Sequence, residues 1–176
     1  MFDAKAFIEY LYANKDLPHK SSYHQEGYFQ HCLLAFNAMW EMTKDDTLLV
    51  AIALHDVAKV RTQGWNKKNE PCFWQHNEIT DEELSLFLSP DDPRYSCVKA
   101  LIWCHMEPYN HNNSLAKYCR KTLKKGGIAV EVDDVFISHI RLINKADDTG
   151  TIRTPENMAG IEERCNEALD RLMQLK

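Results

Sequence analysis

The residues best suited to chemistry lie near the end of the apolar segment 48–61, where His55 and Asp56 are adjacent and Lys59 follows. Burying an imidazole, a carboxylate and an ammonium together is costly unless they pair with each other or bind a metal ion. Neighbouring residues of a helix point about 100° apart, so other helices must supply the remaining ligands of a shared cation. The pair therefore predicts a metal site that other segments complete.

Two other segments offer donors of the same kind. His31 shares a predicted helical face with Leu34 and Ala35 and is expected to point inward, and Asp147 ends the apolar stripe of a later helix. Two imidazoles and two carboxylates suit Mn²⁺, Fe²⁺, Co²⁺, Ni²⁺, Zn²⁺ or, less well, Mg²⁺. Such a cation lowers the pKa of water and polarises a phosphoryl oxygen, so the set predicts metal-dependent hydrolysis.

Five further side chains are candidates for the same site. His76 and His105 could complete a second metal site or hydrogen-bond the phosphate. Lys59 could bind a substrate phosphate as a charged donor, or it could pair with an acid. His24 and Glu26 could border the pocket and contact substrate, although Glu26 could equally be an acid favoured by the dipole of the following helix.

The elements that must position these side chains are helices. Apolar residues recur at spacings of three and four, and glycine and proline number only six each, which predicts an all-α bundle in one domain, 1–176. The predicted helices are 3–15, 27–43, 48–61, 81–88, 93–106, 133–147 and 155–175, with loops at 17–23 and 62–75. Three histidines fall outside the motif spacing and are expected to be surface or structural residues: His19, His111 and His139.

Composition limits the partners and the compartment. With 44% hydrophobic and 27% charged residues the chain resembles an ordinary globular protein. Six scattered cysteines without a Cys-x-x-Cys pair indicate a reducing compartment, and neither a signal sequence nor an apolar run near about 18 residues is present, so we expect a cytoplasmic protein without a membrane partner. The net charge of −5 disfavours DNA but leaves a small phosphorylated ligand open.

The order of His31, the His55-Asp56 pair and Asp147 resembles the signature of the HD-domain metal-dependent phosphohydrolases. The resemblance covers about residues 22–150 and implies an all-α HD domain that holds one or two divalent cations through these four residues. It also implies phosphomonoesterase or phosphodiesterase activity on a nucleotide or an RNA end, including 2′,3′-cyclic phosphates and 2′-phosphates.

Two motifs resemble one branch more narrowly. Residues 24–34 and 53–59 are similar to the HD domain of bacterial tRNA nucleotidyltransferases in the poly(A) polymerase superfamily, although Ala58 replaces the glycine of that pattern. His76 and His105 lie where many HD-domain members carry two more histidines. The helical domain takes up all 176 residues, so CCA addition is not expected.

The resemblance also ranks the possible reactions. HD 5′-nucleotidases carry a glutamate three positions after the aspartate, where this chain has Lys59, so a deoxynucleoside 5′-monophosphatase is less favoured. In the favoured mechanism Asp56 acts with the cation, while Lys59, His76 and His105 stabilise charge on the phosphoryl oxygens. A 5′-nucleotidase or (p)ppGpp-type hydrolase, and a regulatory module that binds nucleotides without turnover, remain alternatives.

Overall fold

The computed structural model describes residues 1–175 as a bundle of helices with one small hairpin, which confirms the predicted all-α class. The helices are α1 (Ala4–Ala13), α2 (Tyr28–Met42), α3 (Asp46–Leu54), α4 (Lys59–Thr62), α5 (Asp81–Ser85), α6 (Tyr95–Cys104), α7 (Glu107–His111), α8 (Leu115–Lys125), α9 (Asp134–Gly150) and α10 (Ile161–Leu172). The hairpin pairs β1 (Gln63–Trp65) with β2 (Pro71–Phe73), and 3₁₀ turns span 112–114 and 155–158.

Helix α3 forms the centre of the bundle. Every residue from Leu48 to Leu54 is buried, as expected for a helix that is apolar all round. Helices α2 and α9 pack against α3 and against each other. Helix α2 carries His31, α9 carries Asp147, and His55 and Asp56 directly follow α3, which explains how residues far apart in sequence reach one place.

Helices α2 and α9 approach closely at Gly150. A Cβ atom added there would lie 2.6 Å from the Ala35 Cα and 2.9 Å from its Cβ. Only glycine therefore allows this backbone contact. Asp147 lies one turn before Gly150 and His31 one turn before Ala35, so the contact sets the separation of the two candidate ligands.

The predicted helix 48–61 is wrong in one respect, because α3 ends at Leu54 and α4 begins at Lys59. The His55 Nδ1 donates to the Ile52 carbonyl at 2.7 Å, which is the acceptor that the Asp56 amide would use in a continued α-helix. Tighter turns follow, with the Lys59 amide donating to the Asp56 carbonyl at 2.9 Å. The break lets His55 and Asp56 face the same site.

Residues 62–75 were expected to be a loop but contain the hairpin. Asn66 Oδ1 accepts hydrogen bonds from the Lys68 and Glu70 amides, and Asn69 has a φ of 59°. Asparagine suits both functions, because its side chain forms local turns and it tolerates the left-handed region. A composition typical of a loop thus supports a tight turn between two short strands.

The last predicted helix, 155–175, begins later than expected. Pro155–Met158 is a 3₁₀ turn, Gly160 has a φ of 68°, and α10 starts at Ile161. The left-handed glycine interrupts the helical path, so the two segments cannot form one helix.

All six cysteines are free, as expected. No helix within residues 1–175 has the length and apolar character needed to cross a membrane.

Candidate metal centre

The structure brings together the four side chains first identified in the sequence. The Nε2 atom of His31 lies 3.1 Å from Asp147 Oδ1 and 3.3 Å from Asp56 Oδ2. The Nε2 atom of His55 lies 3.4 Å from the same Asp56 oxygen and 3.5 Å from the same Asp147 oxygen. All four residues are buried. Three separate segments therefore deliver imidazoles and carboxylates to one point.

The orientation of His55 leaves an acceptor atom facing other acceptors. Its Nδ1 contacts the Ile52 carbonyl, which can only accept, so Nδ1 carries the proton and Nε2 of the neutral ring carries a lone pair. That Nε2 is buried with no hydrogen-bond partner among the described residues. An unpartnered lone pair directed at two carboxylates is unfavourable unless a proton or a cation lies between them.

His76 and His105 repeat this arrangement. The Nδ1 atom of His76 donates to the Phe73 carbonyl at 2.8 Å, and that of His105 donates to the Ile102 carbonyl at 2.6 Å. The two Nε2 atoms lie 3.2 Å apart, and the His76 Nε2 lies 3.4 Å from Asp56 Oδ1. The two oxygens of Asp56 therefore face different pairs of histidines.

In the described part of the chain, candidate ligand atoms lie within 4.8 Å of one another in three groups, of which His19, His24 and Glu26 form one and the donors described above form two. Of these two, one comprises His31, His55 and Asp147, and the other comprises Asp56, His76 and His105. Mixed imidazole and carboxylate ligands suit first-row divalent cations. The residues present therefore fit one or two such ions.

Electrostatics differ between the histidines. Burial lowers the pKa of His76 to about 4, and burial together with the nearby His76 lowers the pKa of His105 to about 3. Both rings are neutral at pH 7, as ligands must be. For His31, burial favours the neutral form, but hydrogen bonds to Asp147 and Asp56 raise its pKa well above the ordinary value.

Lys59 is buried and pairs with an acid, which is one of the two interpretations considered for it. Its Nζ lies 2.6 Å from Asp56 Oδ2 and 3.1 Å from His19 Nε2. Burial alone would raise the pKa of Asp56, but the Lys59 ammonium and a hydrogen bond from His31 hold that pKa well below the usual range. Lys59 also borders the cavity over the site, so substrate contact remains open to it.

His19 was expected to be a surface or structural residue and is instead buried beside the site. Its Nδ1 lies 3.4 Å from the Glu26 carbonyl, and its Nε2 accepts from Lys59. The sequence carried no signal for this, because His19 lies in a polar loop without helical phase and its partner is 40 residues away. Only the folded structure shows the contact.

Glu26 lies behind His31 and has no exposed surface. Its Oε1 lies 2.7 Å from His24 Nδ1 and 3.3 Å from His31 Nδ1, while Oε2 accepts from the Ile152 amide at 3.0 Å. This position favours orientation of the two rings over the substrate contact predicted for Glu26. His24, by contrast, borders the cavity.

Tyr109 is a second residue that sequence reasoning missed. It lies on α7, and its hydroxyl donates to Asp147 Oδ2 at 3.0 Å. The other carboxylate oxygen of Asp147 is thus left to face the histidines. The surrounding segment is polar, so nothing in the sequence connected Tyr109 to the site.

A cavity of about 500 Å³ opens over the centre. Its floor is formed by Asp56, Lys59, His76 and Asp147, and Phe73 lies on its wall. The remaining lining residues are His19, Ser21, Tyr23, His24, Pro71, Met106, Tyr109, Asn110, Thr151 and Arg153. This volume is in the range of cavities that enclose a small organic ligand.

Comparison with known proteins identifies one family. The family model described as HD domain matches residues 28–172, a region that contains every candidate metal ligand. No curated protein and no solved structure matches the chain. The closer similarity to the tRNA nucleotidyltransferase branch therefore stays a prediction.

Proposed function

Because the chain belongs to the HD domain family, we propose that it is a metal-dependent phosphohydrolase acting on a phosphate ester of a nucleotide or of an RNA end. The observation that carries the proposal is the meeting of the imidazole Nε2 atoms with two buried carboxylates, at which the His55 Nε2 has no hydrogen-bond partner among the described residues. His31, His55 and Asp147 would hold one cation, and Asp56 with His76 and His105 would hold another. When bound, a divalent cation polarises a phosphoryl oxygen and lowers the pKa of water.

The residues on the cavity floor have separate tasks. The Lys59 ammonium, held by Asp56 and His19, donates to a phosphoryl oxygen and stabilises its developing charge. His76 borders the cavity and can reach the same group. His105 is fully enclosed and does not border the cavity, which favours metal binding over the phosphate contact considered for it.

The upper walls support a nucleotide as the organic part of the substrate. Phe73 and Tyr109 line the cavity together with Met106, and Tyr23 stands at the mouth with 68% of its surface exposed. Aromatic side chains stack on nucleobases without needing a particular base. The substrate proposal therefore leaves the identity of the base open.

Hydrolysis of a substrate panel, followed by free phosphate for the monophosphates and by chromatography of the ring-opened product for the cyclic nucleotides, tests the proposal. The panel contains 2′-, 3′- and 5′-nucleotides and 2′,3′-cyclic nucleotides, each with Mn²⁺, Ni²⁺ or Co²⁺. We expect the wild-type protein to hydrolyse at least one of them, and His55→Gln and Asp147→Asn to lose that activity while keeping their helical circular dichroism. His139→Gln, on α9 but outside the site, is the matched control.

Two outcomes would contradict the proposal. Full activity in purified His55→Gln or Asp147→Asn protein would remove these residues from the mechanism. Tight nucleotide binding without hydrolysis of any nucleotide in the panel, under every metal condition, would favour the regulatory module.

A further inference from the structure

Two cationic side chains border the cavity among the residues described, Lys59 and Arg153. Lys59 is buried on the floor and is held by Asp56 and His19. Arg153 follows α9, and its guanidinium pairs with Asp148, both side chains being 53% exposed. Ion pairs with this exposure contribute little to stability, so the guanidinium can exchange Asp148 for another anion readily.

The backbone beneath Arg153 is fixed even though its guanidinium is exposed. The Ile152 amide donates to Glu26 Oε2 at 3.0 Å, and the Ile152 carbonyl accepts from the Gln25 amide at 2.8 Å. The Thr151 hydroxyl donates to the Asp147 carbonyl at 3.0 Å. Arg153 is therefore anchored at the cavity rim by the same residues that orient the metal centre.

The rest of the rim is polar but uncharged. Ser21, Tyr23, Asn110 and Thr151 offer hydroxyl and amide groups there, so Arg153 provides the positive charge of the rim as far as the structure describes it. A guanidinium binds phosphate through two parallel hydrogen bonds, which favours it over other side chains for this anion. The scissile phosphate meets Lys59 on the floor, which leaves Arg153 for a different group.

We propose that Arg153 binds a second phosphate of the substrate, separated from the scissile one by the sugar. The proposal rests on the proposed phosphohydrolase function and narrows its substrate to a nucleotide with two phosphate groups. The second group could belong to a free nucleoside 3′,5′-bisphosphate or to the neighbouring phosphate of an RNA end. Exchange of Asp148 for that phosphate accompanies binding.

The kinetic test compares substrates that differ by one phosphate. We expect kcat/KM for a nucleoside 3′,5′-bisphosphate to exceed that for the better of the two corresponding monophosphates by about tenfold, as for one charge-assisted contact. Arg153→Met brings this ratio to about one, and Arg153→Lys retains part of it because an ammonium cannot bind through two parallel bonds. Asp148→Asn raises the ratio by removing the competing anion.

Arg141→Met is the matched control, because Arg141 is exposed on α9 and does not border the cavity. It keeps the wild-type ratio. A dinucleotide with a 3′-phosphate tests whether the second phosphate belongs to an RNA end. If it does, kcat/KM for this dinucleotide exceeds that for the bisphosphate. The proposal is overturned if Arg153→Met lowers kcat/KM equally for mono- and bisphosphates. It is also overturned if the wild-type protein does not prefer the bisphosphate.

Calorimetric titration of the metal-free wild-type protein with the bisphosphate and the two monophosphates tests the rim site independently of hydrolysis. If no substrate is hydrolysed, the phosphohydrolase proposal fails. Tighter binding of the bisphosphate than of the monophosphates, lost in Arg153→Met, still supports the rim site. Equal dissociation constants for the three nucleotides contradict the rim site even in an active enzyme.

Discussion

The ion pair of Lys59 with Asp56 shows why single substitutions at the centre affect stability as well as chemistry. Both groups are buried and lie 2.6 Å apart. Removing one partner leaves the other charge buried without compensation, whereas replacing both can be close to neutral. Stability and activity must therefore be measured separately for any variant of these residues.

We predict that Asp56→Asn lowers the free energy of unfolding of the metal-free protein by about 3 kcal/mol, because it leaves the Lys59 ammonium unpaired. The double variant Asp56→Asn with Lys59→Met should recover most of that loss. Urea denaturation of the wild-type protein, the two single variants and the double variant measures these changes in the free energy of unfolding. The surface pair of Lys5 with Glu9 is the control, and Glu9→Gln should change stability by less than about 1 kcal/mol. Additive losses in the double variant would contradict the prediction.

Glu26 acts through the two rings that it contacts. Its carboxylate lies within 3.3 Å of His31 Nδ1 and also holds His24, so Glu26→Gln brings an amide donor near ring nitrogens that themselves donate. We expect the affinity for Mn²⁺ or Ni²⁺ to fall by about 10- to 100-fold, the usual effect of losing a partner behind a metal ligand. Metal titration followed by calorimetry measures this. Glu41→Gln, at an exposed position on α2, should keep the wild-type affinity, and an unchanged Glu26→Gln would remove the orienting role.

At the scale of elements, the periodicity of apolar residues predicted the regular helices. It missed the places where a side chain takes the hydrogen bond that the backbone would make in a continued helix. The bounds of α2 and the start of α9 follow from apolar spacing and from Asp133, which caps the Phe136 amide, whereas α9 continues three residues beyond its predicted end at 147. The break after Leu54 depends on the His55 ring bonding the Ile52 carbonyl, which apolar spacing does not encode. The convergence of ligands could be anticipated because their residue types are unusual on apolar faces. The positions of His19 and Tyr109 could not be anticipated, because tertiary contacts place the polar segments that carry them.

The contact of α9 with α2 gives a prediction about Gly150. Gly150→Ala should lower the free energy of unfolding by about 2 kcal/mol, because the added methyl overlaps Ala35 and forces the helices apart. The same movement separates Asp147 from His31, so metal affinity should fall as well. Gly127→Ala is the control, because its φ of 64° makes the substitution strained but an added Cβ would have nothing within 4 Å. It should cost about 1–2 kcal/mol of stability and leave metal affinity unchanged. Wild-type metal affinity in Gly150→Ala would contradict the coupling.

At the scale of the whole molecule, the bundle encloses polar groups that its own residues satisfy only in part. Asp56, Asp147 and Glu26 lie within the same interior as Lys59 and several histidines, and the His55 Nε2 has no partner among residues 1–175. Each helix that supplies a donor is also part of the core. Ligand binding at the centre therefore acts on the packing of α2, α3 and α9 together.

Metal binding should consequently stabilise the entire fold. A ligand that binds only the folded state contributes about 2.7 kcal/mol at a concentration of 100 times its Kd. For a domain of this size each 1 kcal/mol raises Tm by about 2–4 °C, so saturating Mn²⁺ or Ni²⁺ should raise Tm by about 5–10 °C. Asp147→Asn should remove the part of this shift that comes from the cation at His31 and His55, whereas Asp148→Asn, at the next and exposed position, should retain the whole shift. Differential scanning calorimetry with and without metal measures the change. An equal shift in Asp147→Asn would mean that the cation binds elsewhere on the protein.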